Sequence, residues 1–356
     1  MWKKPRLLAA SALAVTSAPG LAITQSNGAA DILITAPPTA VHMASVNFDL
    51  AKPGQRSFQA DPPQLAEKGV NASLPSTGII GPMPPQPIDQ VRVDEQADET
   101  SRRYRSFGSQ AWTVKWEWAA IMAELTALHL RPFLRHGTYF KFENEHWLGR
   151  NTANAGMDKF THSFNAYLAT EIFQARMADK TNNAPGNPLT AAVLGMSVMT
   201  YGELYDGFEP HGGFSWQDMT FNLAGASLSV LRHSVPGLAD KLDYRMLFMP
   251  NHDIVSFTGK EHFRQQRFLL ALQLSGFDRF KDSPMRFVEL HLGYYATGFT
   301  NREKREGKSV DRRPFVGIGI NLQQLFFRRQ PSSLAGRIGY RVFDYVQIPY
   351  TAAHFH

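Results

Sequence analysis

The 356-residue sequence contains no cysteine. That removes disulfides, thiolate nucleophiles, cysteine-ligated zinc and iron–sulfur clusters together. It also leaves no lipobox cysteine to acylate. A cysteine-free chain suits an oxidising compartment such as the periplasm. Long apolar runs are missing too: the apolar stretches reach only about 15 residues, short of the ~20 that a spanning helix needs. Charge of one sign is not in large excess, with 37 Lys and Arg against 31 Asp and Glu. If the first 22 residues are removed, 34 basic residues face 31 acidic ones, so nucleic acid is not expected as a partner.

Those first 22 residues read as a signal peptide. Lys3, Lys4 and Arg6 form a positive n-region, and Leu7 to Val15 is apolar. Pro19, Gly20 and Ala22 then supply a break and small residues for cleavage near Ala22. Residues 23–105 hold ten of the 22 prolines and no lasting period, which predicts a disordered, proline-rich arm unable to bury enough apolar surface to offset chain entropy. Basic runs such as Arg102, Arg103 and Arg105, Arg302 to Arg305, and Arg312 and Arg313 read as solvated ends and turns, or as contacts for lipid phosphates.

The pattern turns helical over 106–235. Trp112 to Arg131 carries Trp116, Ala119, Ala120, Ala123, Ala127 and Leu130 at helical spacing, and Pro132 is expected to end that helix. Trp112, Trp116 and Trp118 read as a core stripe, with a membrane-interface belt as the sharper reading. A second helix, from Asp158 to Met177, turns Phe160, Phe164, Tyr167, Leu168, Ile172 and Phe173 inward. Pro188 starts a third, running to about Asp206. Ser215 is the N-cap of a fourth, with Asp218 placed as a capping-box-like acid. Small residues such as Ala191, Gly195, Gly225 and Ala226 allow close helix contact.

From 236 to 356 the period is two. Phe268, Leu270, Leu272 and Leu274 alternate with Leu269, Ala271 and Gln273. Phe287 to Phe299 is a second strand. Val316, Ile318, Ile320 and Leu322 alternate with Gly317, Gly319, Asn321 and Gln323, the cleanest strand of all. Tyr340 to Tyr350 is expected to add another, Asn301 to Arg313 to be a water-facing hairpin loop, and His252, Asp253 and His262 to be solvated. Five or six strands fall short of the eight of a small barrel. The expected fold is therefore α+β: a small helical bundle followed by an antiparallel β-meander or partial barrel, the meander packed on the helices.

Three of the helices carry polar residues at face-sharing spacing. Asp158 and His162 are one turn apart, Glu203 and Asp206 three residues apart, and Asp218 and Asn222 one turn apart. Buried carboxylates must pair, accept hydrogen bonds or bind metal. Lys159, His162 and the backbone amides at the Ser215 helix start are the available partners. Four readings stand open: a structural network, a metal site of Asp158, His162, Glu203 and Asp218, general acid–base catalysis by His162 with Asp158 or Glu203, and lipid or glycan headgroup binding. Gly213-Phe-Ser215-Trp-Gln lacks the second glycine of a nucleophile elbow, which argues against Ser215 as a hydrolase nucleophile. The residues name no cofactor, and no catalytic residue is assigned.

Asp158-Lys159-Phe-Thr-His162, Gly202-Glu203-Leu-Tyr-Asp206, Gly213-Phe-Ser215-Trp-Gln-Asp218-Met and Asn222-Leu-Ala-Gly225 together resemble the YfiM-like family of predicted periplasmic proteins and lipoproteins of unknown function. Their order is also remotely similar to VanZ-like membrane proteins. The resemblance implies compartment and architecture and supplies no reaction. The resulting expectation is an exported, non-catalytic protein of the periplasm or outer membrane that binds or organises lipid, glycan or a protein partner. The alternative is an enzyme, with or without a metal, that modifies envelope lipid or glycan with Asp158, His162, Glu203 and Asp218 at its centre.

Overall fold

A computed structural model describes residues 99, 102–149, 152–210, 212–249, 259–327, 331 and 334–356. The expected signal peptide, nearly all of the expected proline-rich arm, and His252 and Asp253 lie outside the described residues.

Helices come first. A short α1 (Phe107–Thr113) and a longer α2 (Lys115–His136) precede α3 (Met157–Thr181), α4 (Asn187–Asp206) and α5 (Trp216–Ser234). Helix α3 is the hub. It buries Phe164, Tyr167, Leu168, Phe173 and Met177 and packs against both α4 and α5. Small residues permit these approaches: Ala191, Ala192 and Gly195 of α4 and Gly225 and Ala226 of α5 are all buried. Pro188 sits in the first turn of α4, where its missing N–H is an orphan in any helix.

Helix α2 departs from expectation. It runs through Pro132 to His136. The proline lies near the helix end and removes one N–H from the ladder, while Phe133 in the last turn packs edge-on against Tyr205 and Phe208. No residue of α2 is fully buried. Trp112 and Trp116 are exposed, so they are not a core stripe. Only Trp118 turns inward, donating from its indole N–H to Ser197 Oγ at 2.9 Å.

The second half is one six-stranded sheet in the order β5-β1-β2-β3-β4-β6, curled into a half-barrel. Its strands are β1 (Leu242–Phe248), β2 (Gln266–Gln273), β3 (Val288–Thr297), β4 (Asp311–Ile320), β5 (Val346–Gln347) and β6 (Ala352–Phe355). All pairings are antiparallel except β1 with β5, which is parallel. Four short helices interrupt it: α6 (Gly259–Arg264), α7 (Asn301–Arg305), α8 (Leu322–Phe326) and α9 (Leu334–Tyr345). Three expectations fail here. Most of 340–350 is helix α9 rather than strand, with Phe343 set against Phe326 and Phe327. Asn301 to Arg313 is not a plain loop, because Thr300 and Glu303 form a capping box that starts α7. His262 is buried, with its Nε2 2.8 Å from Gln266 Nε2, and is not solvated.

The sheet's two faces are inverted relative to a soluble sandwich. Cross-strand pairs Leu290↔Ile318, Leu292↔Val316 and Val316↔Phe355 place the apolar alternation on one face. Helix α3 covers only one end of that face, where Phe160 and Phe164 meet Tyr244, Phe268 and Tyr294. Over β3, β4 and β6 the same face is bare: Leu290, Leu292, Val316, Ile318, Ile320 and Phe355 are 42–58% exposed. The opposite, concave face buries charge. Arg245 bonds Asp243 at 2.6 Å and Glu289 at 3.0 Å, and His291 lies 2.9 Å from Glu289. Arg232 of α5 extends the chain of charges to Asp243, Glu171 and Tyr167.

Candidate functional site

The polar residues singled out in the sequence converge where α3, α4 and α5 meet. Helical spacing places Asp158, Lys159 and His162 on the first two turns of α3. Glu203 and Asp206 come from the last turn of α4, and Ser215, Asp218 and Asn222 from the start of α5. The helices are held at close range by Gly225, where a Cβ would fall 1.8 Å from the Ser163 carbonyl oxygen. The glycine three residues after Asn222 is thus a packing requirement, and it draws Asp218 toward α3.

Lys159 is fully buried and is the cation at the centre. Its Nζ lies 2.8 Å from Asp218 Oδ1 and 3.0 Å from Asp158 Oδ2, and it also donates to Glu145 Oε2. Burial works against its charge, but Asp158, Asp218 and Glu145 outweigh that and raise its pKa. Beside it, His162 is wedged between two acids. Its Nδ1 is 3.2 Å from Glu203 Oε1 and its Nε2 is 3.8 Å from Asp218 Oδ1. Burial opposes the Asp218 carboxylate, yet His162 and Lys159 lower its pKa overall.

In the other acids burial and neighbouring carboxylates win, in Glu145 despite its bond from Lys159. Burial, then the charges of Asp218 and Asp206, pushes Glu203 up to about 9. Burial and Asp218 push Glu145 up to about 8, and burial with Glu209 pushes Asp206 up to about 7. At neutral pH Glu203 is therefore a buried carboxylic acid beside an imidazole, an arrangement able to hold or transfer a proton. A surface pocket of about 690 Å³, lined by Arg103, Tyr104, Trp112 and Lys180, includes none of these residues.

Ser215 acts as the N-cap. Its Oγ accepts from the Asp218 N–H at 3.2 Å and donates to Gln217 Oε1 at 3.2 Å. The capping box expected from Asp218 is only half formed: the Ser215 N–H donates to Glu203 Oε2 at 3.5 Å, while the Asp218 side chain turns to Lys159. The network is largely buried, with Glu145 at its accessible edge, and is not fully paired. Asp158 Oδ1, Glu203 Oε1, His162 Nδ1 and both polar atoms of Asn222 are buried without a hydrogen bond.

Glu145 escaped the sequence reading. It lies 14 residues from Lys159 in a non-helical segment, so no periodicity links the two. That segment is held by backbone bonds: Lys141 N–H to the Gly207 carbonyl at 2.9 Å, Phe214 N–H to the Lys141 carbonyl at 2.9 Å and Glu143 N–H to the Phe214 carbonyl at 3.0 Å. Above it lies an aromatic cluster in which Phe142 stacks on Trp216, both exposed. The buried chain Asp243, Arg245, Glu289 and His291 was also missed, because charges alternating with apolar residues read as solvent-facing.

Among the described residues, no helix is long and apolar enough to cross a membrane. No curated protein and no solved structure matches the chain. The likeness found carries neither the YfiM name nor a VanZ relationship. It is confined to the segment that supplies the polar cluster: residues 144–234 are similar to a family described as predicted periplasmic lipoprotein (DUF2279).

Proposed function

We propose that this is a non-catalytic protein of the cell envelope that seats on a lipid surface through the bare apolar face of β3, β4 and β6. The observation that carries the reading is the inverted sheet. Apolar side chains point outward while Arg245, Glu289 and His291 are buried on the concave side. That is the alternation of barrels whose outside meets lipid. An exposed patch of this kind is rare on a freely soluble monomer. Exposed Trp112, Trp116, Trp147 and Trp216 add side chains suited to the headgroup layer.

The magnitude is consistent with reversible attachment. Fully burying one such side chain is worth roughly 1.5–3 kcal/mol. The six half-exposed ones then offer roughly 5–9 kcal/mol, comparable to a single acyl anchor. Flotation of the full chain with phosphatidylethanolamine–phosphatidylglycerol vesicles tests this. The parent should float, and a Val316→Asp/Ile318→Asp double variant of unchanged melting temperature should stay at the bottom. A parent that remains in the vesicle-free fraction removes the proposal.

A second reading is favoured by Glu203 Oε1 and His162 Nδ1, buried 3.2 Å apart. It makes the cluster the centre of an enzyme modifying envelope lipid or glycan, with His162 and Glu203 exchanging a proton. Loss of turnover on envelope glycolipid extracts in Glu203→Gln, with the fold intact, would support it. No turnover by the parent would dismiss it.

A further inference from the structure

We propose that His162, Glu203 and Asp218 bind a divalent transition-metal ion, with Asn222 beside them. The site does not depend on membrane attachment. One imidazole and two carboxyl groups are a donor set suited to zinc, manganese or iron, and the Glu203 proton is released when the ion binds. One ligand atom from each residue lies within 4.8 Å of the other two. Nδ1 of His162 and Oε1 of Glu203 are already 3.2 Å apart, close to the spacing of two donors about 2.0–2.2 Å from a shared ion.

The neighbouring triad is the contrast. Glu145, Asp158 and Asp218 also converge within 4.8 Å, but there the Lys159 ammonium fills the space between them. The chain thus supplies its own cation to one half of the cluster. In the other half Lys159 is paired with Asp218, whereas Glu203 faces His162. Glu203 is 2% exposed, yet its Oε1 has no hydrogen-bond partner although it touches His162. Asn222, fully buried one turn after Asp218 on α5, has no partner for its Oδ1 or its Nδ2. Such groups are costly unless a ligand satisfies them.

The scaffold suits a metal centre. The three ligands stand on three helices packed backbone-close, α5 on α3 at Gly225–Ser163 and α4 on α3 at Gly195–Thr170, so rigid elements carry the donors. Lys159, already on Asp218, acts as an outer partner that orients a ligand carboxylate.

The test uses the full chain, purified without a histidine tag and stripped with EDTA. Zinc chloride is titrated calorimetrically, and manganese chloride is followed by electron paramagnetic resonance. The expected result is one ion per chain and a raised melting temperature. Binding should weaken by at least about 100-fold in Glu203→Gln and His162→Gln and stay unchanged in Glu306→Gln on the surface. Two results would overturn the site: no uptake of either ion by the parent, or equal uptake by parent and site variants. Should the variants fail to fold, the bound manganese of the parent decides, since imidazole ligation requires a nitrogen hyperfine coupling and its absence refutes the proposal.

Discussion

Gly225 of α5 rests on the Ser163 carbonyl of α3 with no space between them: a Cβ there would lie 1.8 Å from the oxygen and 2.7 Å from its carbon. Backbone cannot yield as a flexible side chain can. Gly225→Ala should therefore cost at least the ~1–3 kcal/mol typical of overpacking and move α5 away from α3. Gly202, in α4, has nothing within 4 Å of its own Cβ position. There Gly202→Ala should stabilise by about 0.5–1 kcal/mol. Urea denaturation of the two variants side by side checks both signs.

Lys159 gives a second prediction. It is fully buried and serves Glu145, Asp158 and Asp218 together. Lys159→Met keeps the length and removes the charge, leaving like charges facing one another. Stability should fall by about 3–5 kcal/mol, the range for removing one partner of a buried ion pair. A change of less than about 1 kcal/mol in chemical denaturation would mean that the acids are neutral in the folded protein.

Capping supplies a third. Ser215 is fully buried and its Oγ is the acceptor for the Asp218 N–H. Ser215→Ala orphans that amide and should cost about 1–2 kcal/mol. Ser215→Asp restores an acceptor but puts a charge at a fully buried position, so it should not recover the loss. Thermal melts of the three proteins make the comparison.

Acid sensitivity is the fourth. His354 of β6 lies 3.2 Å from His291 and against the Phe315 ring. Burial, then His291, Arg267 and His356, pushes its pKa down to about 4 from the ordinary 6.5. Between those values the unfolded chain takes up a proton that the folded one does not, so stability should fall as pH drops from about 6.5 toward 4. The edge strand β6 should be the first to exchange its amide hydrogens. His354→Gln should flatten this part of the stability–pH curve, and an unchanged slope would show that other groups set it.

How much was legible depended on the range of the interaction that decides each feature. Helices α3, α4 and α5 were readable because apolar side chains recur at helical spacing and Pro188 and Ser215 mark their starts, all local signals. Asp158 with His162 and Asp218 with Asn222 could be paired on faces for the same reason. Residues 242–248 were not read as a strand, because Asp243 and Arg245 look solvent-facing until Glu289 and Arg232 are seen beside them. Helix α9 was mistaken for a strand because its short apolar clusters fit either period.

Composition and periodicity alone determined the cysteine-free chemistry, the change from helix to strand near residue 240 and the residues of the polar cluster. Only the tertiary structure decided which face of the sheet is bare, that Glu145 joins the cluster across 14 residues of chain, and that Lys159 pairs with Glu145, Asp158 and Asp218 together. Local sequence sets which side chains share a face. Burial and charge balance are set by which faces then meet, and that is a property of contacts between distant segments.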